Sequence, residues 1–320
     1  MQTIQFELRA TDNITIHGTH WVPDGDVSGV IQVFHGLGEH RGRYQRFAAR
    51  ATSHGYAVCA HDHRGHGAGA EQLGHFADSN GWELLISDGL QVHEYLRGKY
   101  PQHPLSLLGH SMGSYLAQYF AMLHGDRLSA LILSASTWPS ALRLVPGRLL
   151  ATLESWRLGP RICSPLLDQL SFGNFNNRFK PTRTAFDWLS RDEAEVDAYI
   201  NDQLCGASSS CRLWLDLLGG LSIIASDAAL LRVPSALPIL ITGGADDPAG
   251  GDRGLSQLAV HFAQTMHGRL KLKIYPGGRH EMLNETNRDE FSNDLISWVK
   301  ANVRSYAVES CNLAGSEVGK

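Results

Sequence analysis

Short apolar segments alternate with segments of helical spacing between Val30 and Ser134, and this alternation restricts the fold more than any other feature. Apolar runs of this length, bounded by turn residues, are typical of buried strands. Strands that alternate with helices form βαβ units, which build a parallel sheet with helices on both faces. The ligand site of such a sheet lies at the carboxyl ends of its strands. The predicted strands are Val30–Phe34, Ala57–Ala60, Leu105–Leu108 and Leu128–Ser134, and the predicted helices between them are Tyr44–His54, Leu84–Tyr100 and Met112–His124.

The alternation is interrupted once and then returns. After Trp138 the chain has helical stretches and turn signals but no clear strand, and the strand–helix rhythm resumes at Ile239. At the start of the chain, Ile4–Arg9 and Thr15–Trp21 alternate in hydropathy and predict an antiparallel hairpin. We therefore predict one α/β core with a helical insertion and a loosely structured end. The predicted boundaries are 1–137 and 233–304 for the two parts of the core, 138–232 for the helical cap insertion and 305–320 for a flexible C-terminal tail.

The charge balance and the hydropathy pattern argue against several classes of protein. The chain has 28 Lys and Arg against 32 Asp and Glu, a formal net charge of −4, which argues against a general nucleic-acid binder. Met1–Arg9 lacks a secretory signal pattern, and no stretch offers the roughly 20 continuous apolar residues that span a bilayer. Five scattered cysteines without a CxxC pair argue against a zinc site or a disulfide framework. We therefore expect a cytoplasmic protein.

The segment Leu105–Gly113 places the pattern G-x-S-x-G between a predicted strand and a predicted helix. A serine on such a sharp turn has strained backbone angles and presents its hydroxyl above the edge of the sheet. Bulkier residues in place of Gly109 and Gly113 would clash with the strand and the helix. The N-terminus of the following helix favours a developing negative charge. The pattern therefore predicts Ser111 as a catalytic nucleophile.

A serine hydroxyl needs a base at neutral pH, and the predicted fold selects His280 from the sixteen histidines. His280 follows the last predicted strand in a glycine-bearing loop, at the carboxyl end of the sheet. The orienting acid is expected after the preceding strand, where Asp246 and Asp247 are both candidates. We favour Asp247 because Pro248 fixes the turn directly after it. The chain order Ser, Asp, His is the one expected for this architecture.

The oxyanion of the reaction must also be held, and the loop after the first buried strand is placed to hold it. His35–Gly38 forms this loop, and the backbone N–H groups of Leu37 and Met112 are the expected oxyanion-hole donors. The segment Asp62–Gly67 is crowded with ionisable groups. Because alternating residues of an extended segment point to opposite sides, we expect this segment to brace the oxyanion loop rather than to bind a metal.

Four blocks of the sequence resemble the α/β-hydrolase superfamily, and more closely its monoacylglycerol lipase and lysophospholipase group of serine hydrolases. The likeness covers about residues 5–303. It implies an α/β-hydrolase fold with a mostly parallel eight-stranded sheet, helices on both faces, a helical cap over the site, an acyl-ester substrate and no cofactor. It also suggests Asp247 as the acid, although the loop reads Asp-Asp-Pro-Ala-Gly-Gly and both aspartates stay candidates. The four blocks are His35–His40, Asp62–Gly67, Gly109–Gly113 and Gly277–Glu281.

The insertion contains apolar residues whose partners the sequence leaves open. In Ala141–Leu158, the side chains of Leu149, Leu153 and Trp156 share one helical face. This face either packs on its own domain or forms an apolar lip that touches lipid aggregates, with arginines near anionic head groups. A further set of aromatic residues either lines an acyl channel or forms the core of the cap. This set is Phe172, Phe175, Phe179, Phe186 and Trp188.

We predict an enzyme that hydrolyses carboxylic esters of single-chain acyl lipids, monoacylglycerol or lysophospholipid, through an acyl-enzyme. The alternatives are a short-chain carboxylesterase, a thioesterase and an aminopeptidase. The aminopeptidase would need acidic cap residues near the site, for which Glu193, Glu195 and Asp197 are the candidates. A non-catalytic ligand-binding module on the same fold is a further alternative, which rapid multiple turnover would exclude. We expect no cofactor, no metal and no nucleic-acid partner.

Overall fold

The computed structural model describes residues 1–264 and 269–317, and its centre is one eight-stranded sheet. The strands are β1 (Gln2–Arg9), β2 (Thr15–Val22), β3 (Gly29–Phe34), β4 (Tyr56–His61), β5 (Leu105–His110), β6 (Ala130–Ser134), β7 (Ile239–Gly244) and β8 (Leu270–Tyr275). They lie side by side in the order β1-β2-β4-β3-β5-β6-β7-β8. The hairpin β1–β2 and the pair β2–β4 are antiparallel, and every other neighbouring pair is parallel. The predicted mostly parallel eight-stranded sheet is confirmed.

Helices cover both faces of the sheet. The helices are α1 (Gln45–Thr52), α2 (Gly81–Lys99), α3 (Met112–His124), α4 (Ala141–Leu158), α5 (Pro165–Phe172), α6 (Glu193–Asn201), α7 (Cys211–Ile224), α8 (Asp227–Leu230), α9 (Gly251–Ala263) and α10 (Arg288–Glu317). The apolar side chains of α1 and α10 pack on one face, and those of α2, α3 and α9 pack on the other. Because both faces are covered, every residue of β3 and β5 is buried.

The insertion at 138–232 contains α4 to α8 and, within the described part of the chain, no strand longer than a single bridge between Cys163 and Ser210. Its helix α7 packs against the core helices α2 and α3. The approach is close, since a Cβ at Gly220 would lie 2.1 Å from the indole ring of Trp82. The insertion is therefore seated directly on the core, while its status as a separate domain stays a prediction.

The last helix, α10, continues to Glu317 and so passes the predicted end of the core at residue 304. The segment predicted as a flexible tail, 305–320, begins within this helix, and its final residues, 318–320, lie outside the described residues. The flexibility of this segment stays a prediction. Across the described ranges, no helix combines the length and the apolar character needed to cross a membrane.

Candidate active site

Ser111 lies in the turn between β5 and α3, and its backbone is strained. Its φ is 51° and its ψ is −119°, a combination that residues other than glycine rarely adopt. The Ser111 N–H donates to the carbonyl oxygen of Ser134, 3.0 Å away, which ties the turn to the end of β6. Close packing requires the flanking glycines. A Cβ at Gly109 would lie 2.4 Å from the carbonyl oxygen of Gly113, and one at Gly113 would lie 2.1 Å from that of Phe34.

The side chains of His280 and Asp247 meet Ser111 at the carboxyl ends of the strands. His280 follows β8, and Asp247 follows β7. The Nε2 atom of His280 lies 2.9 Å from Ser111 Oγ, and its Nδ1 atom lies 2.9 Å from each carboxylate oxygen of Asp247. The two side chains are buried, with only 5% of His280 and 3% of Asp247 exposed. The structure thus brings three of the predicted site residues into one chain of hydrogen bonds.

Asp246, the other candidate acid, points away from His280. Its carboxylate accepts a hydrogen bond from Arg178 Nη2 at 2.8 Å, and its side chain is 42% exposed. The carboxylate of Asp247 instead accepts the N–H of Ala249 at 2.8 Å, in addition to its bonds with His280. Of the two adjacent aspartates, Asp247 is therefore the one that contacts His280.

The environment of His280 suits a general base. Burial opposes protonation of the ring, but the Asp247 carboxylate outweighs burial, and the pKa of His280 is raised above its ordinary value. Because Nδ1–H donates to Asp247, Nε2 of the neutral ring is left to accept the Ser111 hydroxyl proton. The His110 ring lies 5.0 Å from that of His280, and burial lowers the pKa of His110, so this neighbour stays uncharged at neutral pH.

The two backbone groups expected to form the oxyanion hole flank the same cavity as Ser111. The N–H of Gly36 donates to Glu39 Oε1 at 2.6 Å, and the N–H of Gly38 donates to His66 Nε2 at 3.2 Å. Between them, the N–H of Leu37 has no protein acceptor among the described residues, and neither has the N–H of Met112 at the start of α3. Both groups are therefore available to a ligand.

The Asp62–Gly67 segment braces the oxyanion loop through histidines. The Nε2 atom of His35 accepts the N–H of His63 at 2.9 Å, and the Nε2 atom of His66 accepts the N–H of Gly38. Burial lowers the pKa of His66 to about 4, so the ring is neutral at pH 7 and its nitrogen can accept. This agrees with the bracing role expected from the sequence.

A buried ionic cluster next to the site was not found by sequence reasoning. The guanidinium of Arg43 donates two hydrogen bonds to Glu281, at 2.5 and 2.6 Å, and one to Glu39 at 3.2 Å. Burial alone would raise the pKa of Glu281, but Arg43 lowers it to about 2. Two features of the sequence could have indicated this cluster. Arg43 lies four residues after Glu39, and Glu281 directly follows His280.

A cavity of about 240 Å³ opens beside Ser111. Its polar lining includes Glu39, His110, Ser111, His280 and Glu281. Its other walls are apolar and come from both the core and the insertion. The apolar and aromatic lining residues include Tyr115, Phe172, Phe175, Trp188, Tyr199, Trp214, Leu217 and Leu221.

The structure divides the aromatic set that the sequence left undecided. Phe172, Phe175 and Trp188 line the cavity. The guanidinium carbon of Arg279 lies 4.2 Å from the centre of the Phe179 ring. Phe186 packs on the ring of Tyr199, which also belongs to the insertion. Part of the set therefore lines the cavity and part stabilises the insertion.

The acidic residues that an aminopeptidase would need do not reach the cavity. Glu195 is ion-paired with Arg46 at 2.7 Å, and Asp197 is ion-paired with Arg183 at 2.6 Å. The carboxylate of Glu193 lies 3.7 Å from Arg183. These three carboxylates on α6 are bound to arginines outside the cavity lining.

Three potential metal ligands lie together within the described ranges. The ligand atoms of His40, Asp202 and Cys205 are all within 4.8 Å of one another. The imidazole Nε2 of His40 is already hydrogen-bonded to Asp202 at 2.8 Å, and its Nδ1 accepts the N–H of Gly42. Hydrogen bonding therefore accounts for this group without a metal.

The chain is similar to several known hydrolases. The model of the family described as serine aminopeptidase, S33, matches residues 25–287. The human monoglyceride lipase is 31% identical over 278 residues, which cover 83% of this chain and 80% of that protein. The monoacylglycerol lipase of Mycolicibacterium smegmatis is 28% identical over 284 residues, which cover 87% of this chain and 90% of that protein.

Solved structures give the same fold. A thermostable carboxyl esterase from Bacillus coagulans, in complex with glycerol, superposes with a TM-score of 0.87 and 26% identity. The match covers 95% of this chain and 99% of the esterase. A soluble variant of the Saccharomyces cerevisiae monoglyceride lipase, at 20% identity and a TM-score of 0.73, covers 94% of this chain and 95% of its own and supports the fold alone.

Proposed function

Because this chain belongs to the serine aminopeptidase S33 family of α/β-hydrolases and is a carboxylic ester hydrolase, we propose that it cleaves esters of single-chain acyl lipids through an acyl-enzyme. The observation that carries the proposal is the hydrogen-bonded chain from Ser111 through His280 to Asp247, placed beside an apolar cavity.

In the proposed reaction, His280 Nε2 takes the proton of Ser111 while the serine oxygen attacks the ester carbonyl. The N–H groups of Leu37 and Met112 hold the oxyanion of the tetrahedral intermediate. His280 then protonates the leaving alcohol, and the acyl group stays on Ser111. In the second half, His280 takes a proton from water, which attacks the acyl-enzyme, and His280 then returns the proton to Ser111 Oγ as the fatty acid leaves. Asp247 keeps the imidazole in the required tautomer throughout.

The lining of the cavity favours a substrate with a single acyl chain and a neutral head group. Its apolar walls suit a hydrocarbon chain, and its polar lining includes Glu39 and Glu281. The guanidinium of Arg43 donates to both carboxylates. Since two carboxylates share this guanidinium, the polar lining disfavours a phosphate and favours an uncharged polyol. Of the two substrates expected from the sequence, we therefore favour monoacylglycerol over lysophospholipid.

We further propose that α4 contacts lipid surfaces. Its side chains Leu142, Val145, Leu149, Leu153 and Trp156 are exposed, with 87% of Trp156 accessible. They follow one another at spacings of three or four residues and so form one apolar stripe. A helix with such a stripe is typical of attachment to the surface of a membrane or lipid aggregate.

The test compares fatty-acid release from a monoacylglycerol and a lysophospholipid with the same acyl chain, each below its aggregation concentration. We expect repeated turnover, faster on the monoacylglycerol, and a loss of at least about 10⁴-fold in Ser111→Ala, with the fold intact by circular dichroism. Undiminished activity in Ser111→Ala would refute the acyl-enzyme. Release from neither lipid would direct the assignment to a short-chain ester or a thioester.

A further inference from the structure

Glu285 is a buried carboxylate that the reaction described above does not use. It lies five residues after His280, and none of its surface is exposed. A carboxylate is costly to bury unless hydrogen bonds compensate for the lost water. Glu285 receives such bonds from three residues, Arg191, Arg279 and Thr286.

These donors come from two parts of the chain. Oxygen Oε1 of Glu285 accepts the N–H of Arg279 at 3.1 Å and the N–H of Arg191 at 3.0 Å. Oxygen Oε2 accepts Arg191 Nε at 2.9 Å and the N–H of Thr286 at 2.7 Å. Arg279 directly precedes His280, whereas Arg191 belongs to the insertion. One carboxylate therefore joins the backbone beside His280 to the backbone of the cap.

Two backbone hydrogen bonds also join the loop of His280 to the insertion. The N–H of His280 donates to the carbonyl oxygen of Trp188 at 3.4 Å, and the N–H of Glu281 donates to that of Leu189 at 2.8 Å. Trp188 and Leu189 also line the cavity. The segment 187–192, which we call the cap strap, thus supports both the cavity wall and the loop of His280.

We propose that Glu285 is a positioning residue, which holds His280 in line with Ser111 and Asp247 by fastening the His280 loop to the cap strap. This inference rests on the proposed function, since it takes His280 as the general base. The ring of His280 must meet Ser111 Oγ and Asp247 at 2.9 Å on opposite sides. A displacement of about 1 Å in such a geometry costs on the order of 10²-fold in rate.

The central variant is Glu285→Gln, measured on a dissolved short-chain ester. Its amide nitrogen would replace either Oε1, which accepts the N–H groups of Arg279 and Arg191, or Oε2, which accepts Arg191 Nε and the N–H of Thr286. One bond to Arg191 is therefore lost in either orientation. We expect kcat to fall roughly 10- to 100-fold with little change in KM. We also expect the acid limb of the pH–kcat/KM profile to move to lower pH, because a looser contact with Asp247 lowers the pKa of His280.

The ionisable groups with the largest effects on His280 include Asp247, Glu281 and Glu39, the His110 ring lies 5.0 Å away, and Glu285→Gln changes none of these four. Because Glu285→Gln also removes a negative charge, which by itself lowers the pKa of His280, Arg191→Met is measured beside it. Arg191→Met keeps the Glu285 carboxylate and removes a positive charge, so a shift of its acid limb to lower pH reports the position of His280.

Asp192→Asn is the matched control. Asp192 also belongs to the cap strap and pairs across to the core, with Arg288 at 2.6 Å, whose Nη1 also donates to the carbonyl oxygen of Glu285. The Asp192 carboxylate bonds to Arg288 and to the N–H of Ala194, and to none of the described residues 276–281. Asparagine also keeps the helix-capping acceptor for the N–H of Ala194. We expect kcat within about twofold of the parent and an unchanged acid limb.

The inference is overturned if Glu285→Gln is folded and matches Asp192→Asn in kcat and acid limb. If Glu285→Gln does not fold, Arg191→Met decides, since it removes the bond from Nε and keeps the buried carboxylate. A smaller shift of the acid limb to lower pH supports the inference, whereas an unchanged acid limb overturns it. Ser111→Ala is measured in parallel. If Ser111→Ala is active, the proposed function is refuted. If Ser111→Ala is inactive and Glu285→Gln has the kcat and the acid limb of the parent, only the positioning role of Glu285 is refuted.

Discussion

Asp246 and Asp247 are adjacent in the chain, but their carboxylates lie in different surroundings. Successive side chains of an extended turn point in different directions, so one carboxylate reaches His280 and the other reaches Arg178 at the surface. Turn chemistry around Pro248 favoured Asp247, but only the fold shows which of the two carboxylates points towards His280.

The difference between the two aspartates can be measured with a matched pair of variants. Asp247→Asn leaves the shape unchanged but no longer holds the His280 tautomer, and we expect kcat on a dissolved ester to fall about 10⁴-fold. Asp246→Asn breaks an exposed ion pair, and we expect activity within a few-fold of the parent. Comparable losses in both variants would contradict the roles assigned here.

At the scale of single elements, helix α4 shows how one helix presents two faces. Leu144 and Ala151 are buried, whereas the stripe from Leu142 to Trp156 faces outward. The sequence identified a shared face for Leu149, Leu153 and Trp156 but left open whether it packs inward. The structure leaves all three side chains exposed, which favours the lipid-contact interpretation.

The stripe is tested with Leu149→Ser combined with Trp156→Ser. Both side chains would lose apolar contact with a lipid aggregate, so we expect activity on aggregated monoacylglycerol to fall at least about tenfold. Turnover of a dissolved short-chain ester should stay within twofold. Val260→Ser, the same kind of change at an exposed apolar residue of α9, serves as the control. An equal loss on both substrates would remove the support for lipid contact.

At the scale of the whole molecule, buried histidines tie stability to pH. Burial lowers the pKa of four histidines to about 4: His20, His61, His66 and His93. In the unfolded chain these rings take up protons near pH 6.5, whereas the folded protein keeps them neutral down to about pH 4. Their contribution to stability is therefore fully present above pH 6.5 and is lost as the pH falls from 6.5 towards 4.

Each such shift corresponds to about 3 kcal/mol at most, and the typical stability of a protein is only about 5–15 kcal/mol. We expect the free energy of unfolding in urea to fall steeply between pH 7 and pH 5, with acid unfolding above pH 4. His93→Gln keeps a donor for Gln32 but removes one titrating ring, so its pH dependence should be shallower. His54→Gln, the same substitution at an exposed histidine, serves as the control. A free energy of unfolding that is constant from pH 7 to pH 5 would contradict this account.

The pattern of residues along the chain is sufficient to predict the parallel sheet, the turn that carries Ser111 and the loop that carries His280. These features are local, because strand and helix periodicity and glycine-bearing turns act over a few neighbouring residues. Contacts between distant segments of the folded chain determine which aspartate meets His280, which aromatic side chains line the cavity and how Arg43 pairs with Glu281. Arg43 and Glu281 are 238 residues apart, and Glu285 and Arg191 are 94 apart. Such contacts depend on which surfaces face each other once the sheet has formed, and no periodicity in the chain encodes them.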